Sequence, residues 1–468
     1  MRAALALLAF ASLAAAHAAA HAAAPPAAHA AAHPAAHAAA HAAAHPAAHA
    51  AAHPAAHAAP PARELHTRTT DVEALAWHDG TLYVATRGGL EAYAAGDRSQ
   101  RRLFTTEDGL AANAVRALSV EDGQLVARTD RARCVADGAR FVCEPAAKWP
   151  TPVPAISELA HGARVTARLD VPGLGGARFV GTAGAGVFLD GPSPTRLTPD
   201  GQICSNHIMA VEAWRGRVYF ASFAEGLCVR DGATFVTLAT PFGMVNDLAA
   251  TPAGLYVAAT EGLFVTTDGV SFAPVSAVSS RGVNDLAFDG KNLYATTPGA
   301  LFRIKLPGVS GKRDRAYWRP GGTRALQAVD VRGGKVWLAS EDRGALRLER
   351  GGWTIFDRAA GLPTSWALDV TVLPDGGALV ATLRDGVIRI AADGTTASVA
   401  APDPWTLHVS ADGNGAFIGA QGGAARLGDD LAPDAFAALP DPNVHAVRRA
   451  AGRIWLATEG GLLALPAR

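Results

Sequence analysis

A short apolar run that ends in Ala-Thr or a similar pair, followed by Gly-rich punctuation and a second apolar run, recurs ten times after residue 62. It reads LYVATRGGL from Leu82, LYVAATEGLFV from Leu255 and IWLATEGGLLAL from Ile454. Such self-similarity is typical of repeat architectures, in which each unit buries its apolar faces by stacking on a neighbour. The repeat therefore constrains the fold strongly and leaves the biochemical function open.

The spacing of the repeats predicts the kind of unit. The last residues of the first apolar runs are Thr86, Thr129, Thr182, Ser222, Ala259, Thr297, Ser340, Thr382, Ala420 and Thr458. Most steps are close to forty residues, and each contains an alternating run upstream and usually an aromatic run after a Gly turn downstream. Four short strands per period predict an all-β fold, a β-propeller of four-stranded blades. No window carries apolar residues at helical spacing over more than two turns, so a helical solenoid is not favoured.

The two ends of the repeat region predict how the propeller closes. The last repeat stops at Leu465 to Arg468, just after its second apolar run, so its outermost strand is missing there. The segment from Ala62 to Trp77 resembles the end of one repeat joined to the start of the next. We therefore expect residues 63–69 to supply the outer strand of the final blade, because this pairing covers an exposed edge. About ten repeats in one ring are expected, with fewer blades or two smaller rings as the alternative.

Residues 1–62 precede the repeats and predict export. Residues 1–18 have a cationic start at Arg2, an apolar run through Leu13 and a small-x-small end, the pattern of a secretory signal peptide. The apolar run is too short for a membrane span. We expect a periplasmic or secreted protein, folded as a propeller over residues 63–468.

A tract of almost pure Ala, Pro and His fills residues 19–62. Prolines interrupt its helical windows, and without large side chains it cannot offset its ordering entropy, so we expect a low-complexity, disordered linker. Its histidines recur mostly four residues apart, which leaves a divalent-cation-binding tail as the alternative.

Four cysteines fit the oxidising compartment that export implies. Cys134 and Cys143 flank a hairpin signal at Asp137-Gly138, so they can face each other across adjacent strands. Cys204 and Cys228 would form the second pair within one repeat. A metal site from Cys204, Cys228 and His207 is the alternative, although the CxxC spacing of such sites is absent.

Charge composition argues against nucleic acid as a partner. Lys plus Arg and Asp plus Glu both total 42, so no net field attracts a polyanion. We expect a monomer that does not span the membrane and requires no cofactor.

Two segments carry a family resemblance. TTEDGLAANAVRAL at 105–118 and DRAAGLPTSWALDV at 357–370 are each followed by a run ending in ART or VAT and a turn. They resemble the two-component-regulator propeller repeat. The resemblance implies an exported propeller that binds a ligand or a partner. In that family the propeller is usually the extracytoplasmic sensing half of a membrane histidine kinase, and known ligands include oligosaccharides. We see no kinase in this sequence, so the resemblance does not extend to signalling through this chain.

Four ionisable residues break the pattern at one position of the innermost strands, where most repeats have Ala. They are Asp247, Asp285, Asp369 and His408. At equal depth around an axial channel they could hold a divalent cation. The alternative is structural: each carboxylate accepts backbone N–H groups of the next blade, because a buried carboxylate must be paired.

Loop residues supply the other candidates. Loops between second and third strands carry charges of both signs, namely Arg87, Arg131, Glu225, Glu261, Asp342, Arg343, Arg384, Asp385 and Glu459. Trp366, Trp405, His207 and His445 precede or begin inner strands. Aromatic rings beside Arg and Asp suit a sugar or a protein partner. Our ligand-binding candidates are therefore Trp366, Trp405, Arg343, Arg384, Asp385, His207 and His445.

The sequence favours binding over catalysis. No GxSxG, HExxH, Walker loop or GxGxxG at a strand-to-helix turn is present. We expect a non-catalytic propeller that binds an oligosaccharide or a protein on its axial face. The alternative is a metal-dependent hydrolase or lyase at the axial Asp/His position, as in calcium-dependent lactonase-like and lyase-like propellers.

Overall fold

The structure is a computed structural model that describes residues 63–467, except 147–157, 279–281, 307–314, 320–321, 351 and 414. The expected signal peptide at 1–18 and linker at 19–62 lie outside the described residues. Antiparallel β-strands dominate the described part, which contains three short 3-10 helices at Thr106–Asp108, Pro172–Leu174 and Arg358–Ala360 and no α-helix. The expected all-β class is confirmed.

Consecutive strands form ten sheets, which we call blades and number in chain order. The first strand is β1 (Glu64–His66), which precedes blade 1. Blades 1 to 3 comprise β2 (Val72–His78), β3 (Thr81–Thr86), β4 (Gly89–Ala94) and β5 (Arg101–Phe104); β6 (Val115–Glu121), β7 (Gln124–Thr129), β8 (Ala132–Asp137) and β9 (Arg140–Pro145); and β10 (Leu159–Ala160), β11 (Ala163–Val171), β12 (Ala177–Thr182), β13 (Gly186–Leu189) and β14 (Thr195–Arg196).

Seven further blades follow. Blades 4 to 7 comprise β15 (Ile208–Trp214), β16 (Arg217–Ser222), β17 (Leu227–Asp231) and β18 (Thr234–Thr237); β19 (Val245–Thr251), β20 (Gly254–Ala259), β21 (Gly262–Thr266) and β22 (Ala273–Pro274); β23 (Asp285–Phe288), β24 (Asn292–Thr297), β25 (Ala300–Lys305) and β26 (Arg315–Trp318); and β27 (Leu326–Arg332), β28 (Lys335–Ser340), β29 (Gly344–Glu349) and β30 (Gly352–Phe356). Blades 8 to 10 comprise β31 (Ala367–Val372), β32 (Ala378–Thr382), β33 (Val387–Ile390) and β34 (Thr396–Val399); β35 (Thr406–Asp412), β36 (Gly415–Ala420), β37 (Gly423–Leu427) and β38 (Pro433–Ala435); and β39 (Val444–Ala450), β40 (Arg453–Thr458) and β41 (Leu462–Pro466).

The repeated apolar run is the second full-length strand of each blade. All ten of these strands end at the residues identified in the sequence, from Thr86 in β3 to Thr458 in β40. The run is apolar throughout because neighbouring sheets cover both of its faces, and all six residues of β20 are buried. The preceding strand reaches it through tight hairpins such as Asp79-Gly80, whose φ angles of 45° and 71° are those of a two-residue loop suited to strand twist.

The N-terminal strand completes the last blade, as its sequence predicts. Strand β1 pairs antiparallel with β41, and blade 10 has the order β1, β41, β40, β39. Glu64 forms ion pairs with Arg230 of blade 4 (2.8 Å) and Arg453 of blade 10 (3.3 Å). The added strand therefore also connects two neighbouring blades.

Blades 4 to 10 contact one another in a cycle. Their inner strands touch in the order β15, β19, β23, β27, β31, β35 and β39, and β39 also touches β15. Apolar side chains of blades 4 and 10, including Phe220 and Trp455, form one cluster where the cycle returns to its start. The contacts thus favour fewer blades per ring over the expected ten in one ring, because this cycle of seven leaves blades 1 to 3 outside it.

Blades 1 to 3 form a separate arc in which blade 1 is central. Strand β2 contacts β6 of blade 2 on one side and β11 of blade 3 on the other. Phe104 and Phe141 pack in the interface of blades 1 and 2, while Val84 and Phe179 pack in that of blades 1 and 3. The order in space is therefore 2-1-3 and not the order of the chain.

The free face of blade 2 is charged. Arg128 and Arg133 lie on the face opposite the apolar interface with blade 1, and both pair with Glu121, at 2.7 and 2.8 Å. A polar outer face is typical of a terminal repeat that ends a stack. Val142 of β9 is exposed on the same face.

A loop of blade 4 holds the segment that joins β1 to β2. The amide of Asn206 accepts from the Arg68 N–H (2.7 Å) and donates to the Arg68 carbonyl (2.8 Å). The Thr69 N–H donates to the side chain of Gln202 at 2.7 Å. In the loop before β6 of blade 2, the buried Asn113 donates to the Gly460 carbonyl of blade 10 at 3.0 Å. The arc therefore contacts the cycle where blades 10 and 4 meet.

Both expected disulfides are present. Cys134 pairs with Cys143 across strands β8 and β9, where they face each other in register, and Cys204 pairs with Cys228 within blade 4. The two disulfides indicate an exported protein. In the part of the chain that the structure describes, no helix has the length and apolarity needed to cross a membrane.

Candidate functional site

The axial candidates occupy equivalent places on the inner strands. Asp247, Asp369 and His408 each follow a β-bulge near the start of their strand, and Asp285 begins β23. The inner strand is an edge of its sheet, so its backbone N–H groups have no ladder partner on the axial side. The equivalent positions therefore bring polar side chains beside unpaired backbone groups of the next blade.

Three of these carboxylates accept a backbone N–H from the following blade. Asp247 accepts from Leu286 (3.1 Å), Asp285 from Val329 (2.7 Å) and Asp369 from Val409 (2.9 Å), and the bonded atom is Oδ2 in every case. Each donor lies one residue beyond the equivalent position of its own blade. The three carboxylates thus link neighbouring blades, as the structural alternative to a metal site predicts.

His408 also contacts the blades on both sides of its own. Its Nδ1 lies 2.8 Å from Oδ2 of Asp369, and its Nε2 lies 3.4 Å from the Val447 carbonyl of blade 10. The His408 ring therefore continues the same chain of links from blade 8 through blade 9 to blade 10.

Sequence reasoning missed three further axial residues, namely Glu212, Asp330 and Arg448. Each lies two residues after the equivalent position, and alternation along a strand returns such a residue to the same face. Asp330 accepts from the Val372 N–H at 2.7 Å and from the Thr371 hydroxyl at 3.0 Å, so it repeats the link one step further along the strand. Extending the alignment by two positions would have found all three.

Burial shifts the pKa values of Asp247 and Asp285. Burial raises the pKa of Asp247, and burial together with the charges of Asp247 and Asp369 raises the pKa of Asp285 well above its ordinary value. Burial alone would lower the pKa of Arg448, but Glu212 and the axial aspartates outweigh it and raise that pKa. The charged guanidinium therefore offsets part of the negative charge that the ring collects at its axis.

One end of each blade carries the loop candidates. Loops that precede inner strands and loops between second and third strands lie together, because the start of the inner strand pairs with the end of the second, as Ile208 does with Ser222. We call this end of the blades the upper face.

Arg384 lies between two tryptophans on the upper face. Its guanidinium carbon is 6.0 Å from the ring centre of Trp366 and 5.4 Å from that of Trp405, within the range of cation–π contact. Both tryptophans are half-buried, whereas Arg384 and its neighbour Asp385 are exposed. The structure thus brings four of the seven predicted ligand-binding residues together where blades 8 and 9 meet.

The backbone of Arg384 has an uncommon conformation. Its φ of 115° lies in the region that favours glycine. Its N–H donates to the Pro404 carbonyl at 3.0 Å, and the Gly386 N–H donates to the same carbonyl at 2.9 Å. Pro404 belongs to the loop before blade 9, so this loop anchors the strained backbone to the adjacent blade.

The other predicted ligand-binding residues lie elsewhere on the upper face. Arg343 is exposed in the loop between β28 and β29 of blade 7. His207 and His445 stack on each other where blades 4 and 10 meet, with ring centres 4.7 Å apart. His445 Nε2 lies 3.2 Å from Oε1 of Glu459, and the described residues hold one group of three metal-ligating side chains, His207, His445 and Glu459. The sequence had placed Glu459 only among the charged loop residues.

Comparison with solved structures finds similar folds in bacterial extracellular domains and a surface protein. No family model matches the chain, and no curated protein matches it. The extracellular domain of a putative hybrid two-component system from B. thetaiotaomicron is similar at 12% identity and a TM-score of 0.50, over 83% of this chain and 60% of that chain. A second such domain from B. thetaiotaomicron gives 12% identity and a TM-score of 0.49, over 86% and 59% of the two chains.

A third structure, of PorZ, a surface component of the type-IX secretion system of Porphyromonas gingivalis, gives 14% identity and a TM-score of 0.46, over 85% of this chain and 69% of that chain. The chain spans about three fifths of the length of the two-component domains. At these identities the likeness concerns the fold, and it agrees with the resemblance of residues 105–118 to two-component-regulator propellers.

Proposed function

We propose that the protein is an exported, non-catalytic propeller that binds an oligosaccharide on its upper face where blades 8 and 9 meet. Trp366, Arg384, Asp385 and Trp405 would form the binding site, and no cofactor is required. The protein would act in the periplasm or after secretion. The observation that carries the proposal is the strained Arg384 held between two tryptophans.

The strain of Arg384 supports a functional role for this loop. A non-glycine residue at such a φ costs on the order of 1–3 kcal/mol, and strain of this kind clusters at ligand-binding positions. Blades 1, 5 and 10 turn with a glycine of positive φ in this loop, at Gly89, Gly262 and Gly461. Blade 8 also has such a glycine, Gly386 with a φ of 67°, and in addition holds the exposed Arg384 at a positive φ, which favours recognition over simple turn formation.

The chemistry of the four side chains suits a sugar. An indole ring packs against the C–H face of a pyranose, while Arg384 and Asp385 can hydrogen-bond hydroxyl groups. A guanidinium also pairs with a carboxylate through two parallel hydrogen bonds, so Arg384 would favour an oligosaccharide that contains a uronic acid. The exposed Arg343 on blade 7 would lie at the edge of such a ligand.

A hydrolase or lyase with a metal at Asp247, Asp285, Asp369 and His408 has less support. Each of the three carboxylates already accepts a backbone N–H of the next blade. A metal there would have to share these oxygens with the links between blades. The axial group is therefore better explained as part of the scaffold.

Binding of defined oligosaccharides tests the proposal. A panel of neutral and uronate-containing oligosaccharides is screened by isothermal titration with the wild-type protein, Trp405→Ala and Trp353→Ala. Trp353 lies on β30, the outer strand of blade 7, and controls for the loss of an indole ring elsewhere. We expect a member of the panel to bind the wild type and Trp353→Ala equally and Trp405→Ala at least tenfold more weakly. Equal binding by all three would place the ligand elsewhere, and a panel without a binder would favour a protein partner.

A further inference from the structure

A group of metal-ligating side chains joins blade 10 to blade 4. One ligand atom each from His207, His445 and Glu459 lies within 4.8 Å of the other two. His207 comes from the loop before β15, His445 from the start of β39, and Glu459 from the loop after β40. We propose that these three residues bind a divalent transition-metal ion of the zinc type. The site is separate from the proposed oligosaccharide site.

The donor set fits this class of ion. Imidazole nitrogen and carboxylate oxygen are preferred ligands of Zn²⁺, and two histidines with one glutamate are a known combination for a site that keeps an open position. Ligand atoms of one tetrahedral zinc lie about 3.4 Å apart, given bonds of about 2.1 Å. Small rotations of the three side chains would bring their ligand atoms from the observed spacing to that value.

The surroundings hold the ligands in orientation. The ring of His207 stacks on Phe223 with ring centres 4.6 Å apart and an interplanar angle of 7°. The Asn443 amide donates to Oε2 of Glu459 at 3.1 Å, which leaves Oε1 directed toward His445. Groups that orient the ligands in this way are typical of metal sites, where they set the direction of each donor.

The location gives such an ion a role. His207 belongs to the first blade of the seven-blade cycle and His445 to the last, and the Asn113 bond to Gly460 places the arc beside the same loop. An ion bound here would link the two blades at which the cycle returns to its start. Because the unfolded chain brings no such ligand set together, binding would stabilise the folded state.

Without an ion, the same geometry is a His445–Glu459 ion pair with His207 stacked on it. The chain offers a matched control for that reading, because His161 also stacks on an aromatic ring, Phe188 (4.2 Å), and faces a carboxylate, Asp190 (3.5 Å). His161 does not belong to the three-residue group. Comparing substitutions at His445 and His161 therefore separates metal binding from the loss of a stacked, ion-paired histidine.

Zinc content and zinc-dependent melting test the inference. The full-length wild type, His445→Gln, Glu459→Gln and His161→Gln are loaded with Zn²⁺, passed over a desalting column and measured for bound zinc. All four keep the His-rich tract, so its contribution cancels. We expect the wild type and His161→Gln to hold one more zinc per chain than the two site variants, and Zn²⁺ to raise the melting temperature of only the first two by several degrees.

Equal zinc content in all four proteins would overturn the inference and leave the ion pair as the explanation. The melting temperature in the presence of a chelator shows whether each variant is folded. If His445→Gln does not fold, Glu459→Gln carries the comparison alone, because it is isosteric and retains both histidines.

Discussion

Leu65 of β1 lies directly opposite Leu463 of β41 in the antiparallel ladder of blade 10. The pairing joins a residue near the start of the described chain to one near its end. It supplies the outer strand that the last repeat lacks and places the ion pairs of Glu64 between blades 4 and 10. The stability of the seven-blade cycle should therefore depend on β1, which lies before blade 1 in the sequence but belongs to blade 10.

Deletion of residues 63–69 should lower the melting temperature by about 5 °C or more. The deletion removes a strand, the Glu64 ion pairs and the Arg68 contacts with Asn206, and each of these joins otherwise separate parts of the fold. Circular dichroism measures the transition. Deletion of seven residues from the Ala/His/Pro tract is the control and should leave it unchanged. An unchanged melting temperature after deletion of residues 63–69 would show that β1 is dispensable.

Acid should destabilise the fold through His66. Burial, together with the nearby Arg230, lowers the pKa of His66 to about 4 from an ordinary value of 6.5. The unfolded chain therefore gains a proton below pH 6.5 that the folded chain gains only near pH 4, so stability is lost as pH falls through this window. Between pH 7 and 5 the loss should be about 2 kcal/mol.

His66→Phe tests this titration. Phenylalanine keeps an aromatic ring beside Phe235 and Trp455 and cannot take up a proton. Urea unfolding at pH 7 and pH 5 should show a smaller loss of free energy of unfolding in the variant than in the wild type. Parallel losses in the two proteins would mean that another group controls the acid response.

Asp285 should respond to pH in the opposite direction. The raised pKa of Asp285 means that the folded state holds its proton more tightly than the unfolded state does, so its stabilising contribution is present below about pH 4 and is lost as pH rises through the raised value. Asp285→Asn removes the charge, and its amide oxygen can still accept from the Val329 N–H.

We therefore expect Asp285→Asn to gain melting temperature relative to the wild type as pH rises from 5 to 8, by several degrees. Asp137→Asn, at an exposed hairpin position, is the control and should show no such trend. A variant that is less stable than the wild type by the same amount at every pH would show that the Asp285 carboxylate is favourably ionised beside Arg448.

The repetitive part of the structure could be predicted from the sequence. The ten second-strand ends, the N-terminal outer strand and both disulfides follow from local patterns that repeat or pair over short distances. Alternation places Cys134 and Cys143 on one face of a hairpin, and the missing strand of the last blade requires a partner from elsewhere. These features depend on strand periodicity, which a single sequence displays.

The grouping of the blades could not be predicted in the same way. Most blades offer two apolar faces, so the sequence alone does not show that β39 packs against β15 or that blade 1 lies between blades 2 and 3. The one local sign was charge, since Arg128 and Arg133 occupy a face that would be apolar inside a ring. The proximity of Trp366 and Trp405 was easier to predict, because both residues precede inner strands of adjacent blades.

The most direct test of the whole account compares Arg384→Ala with His408→Gln for binding of the best oligosaccharide from the panel, by isothermal titration. Arg384 belongs to the proposed binding site, while His408 links blades at the axis. We expect Arg384→Ala to weaken binding at least tenfold and folded His408→Gln to keep the dissociation constant of the wild type within about twofold. Loss of binding in His408→Gln with normal binding in Arg384→Ala would contradict the proposed site and place the ligand at the axial group.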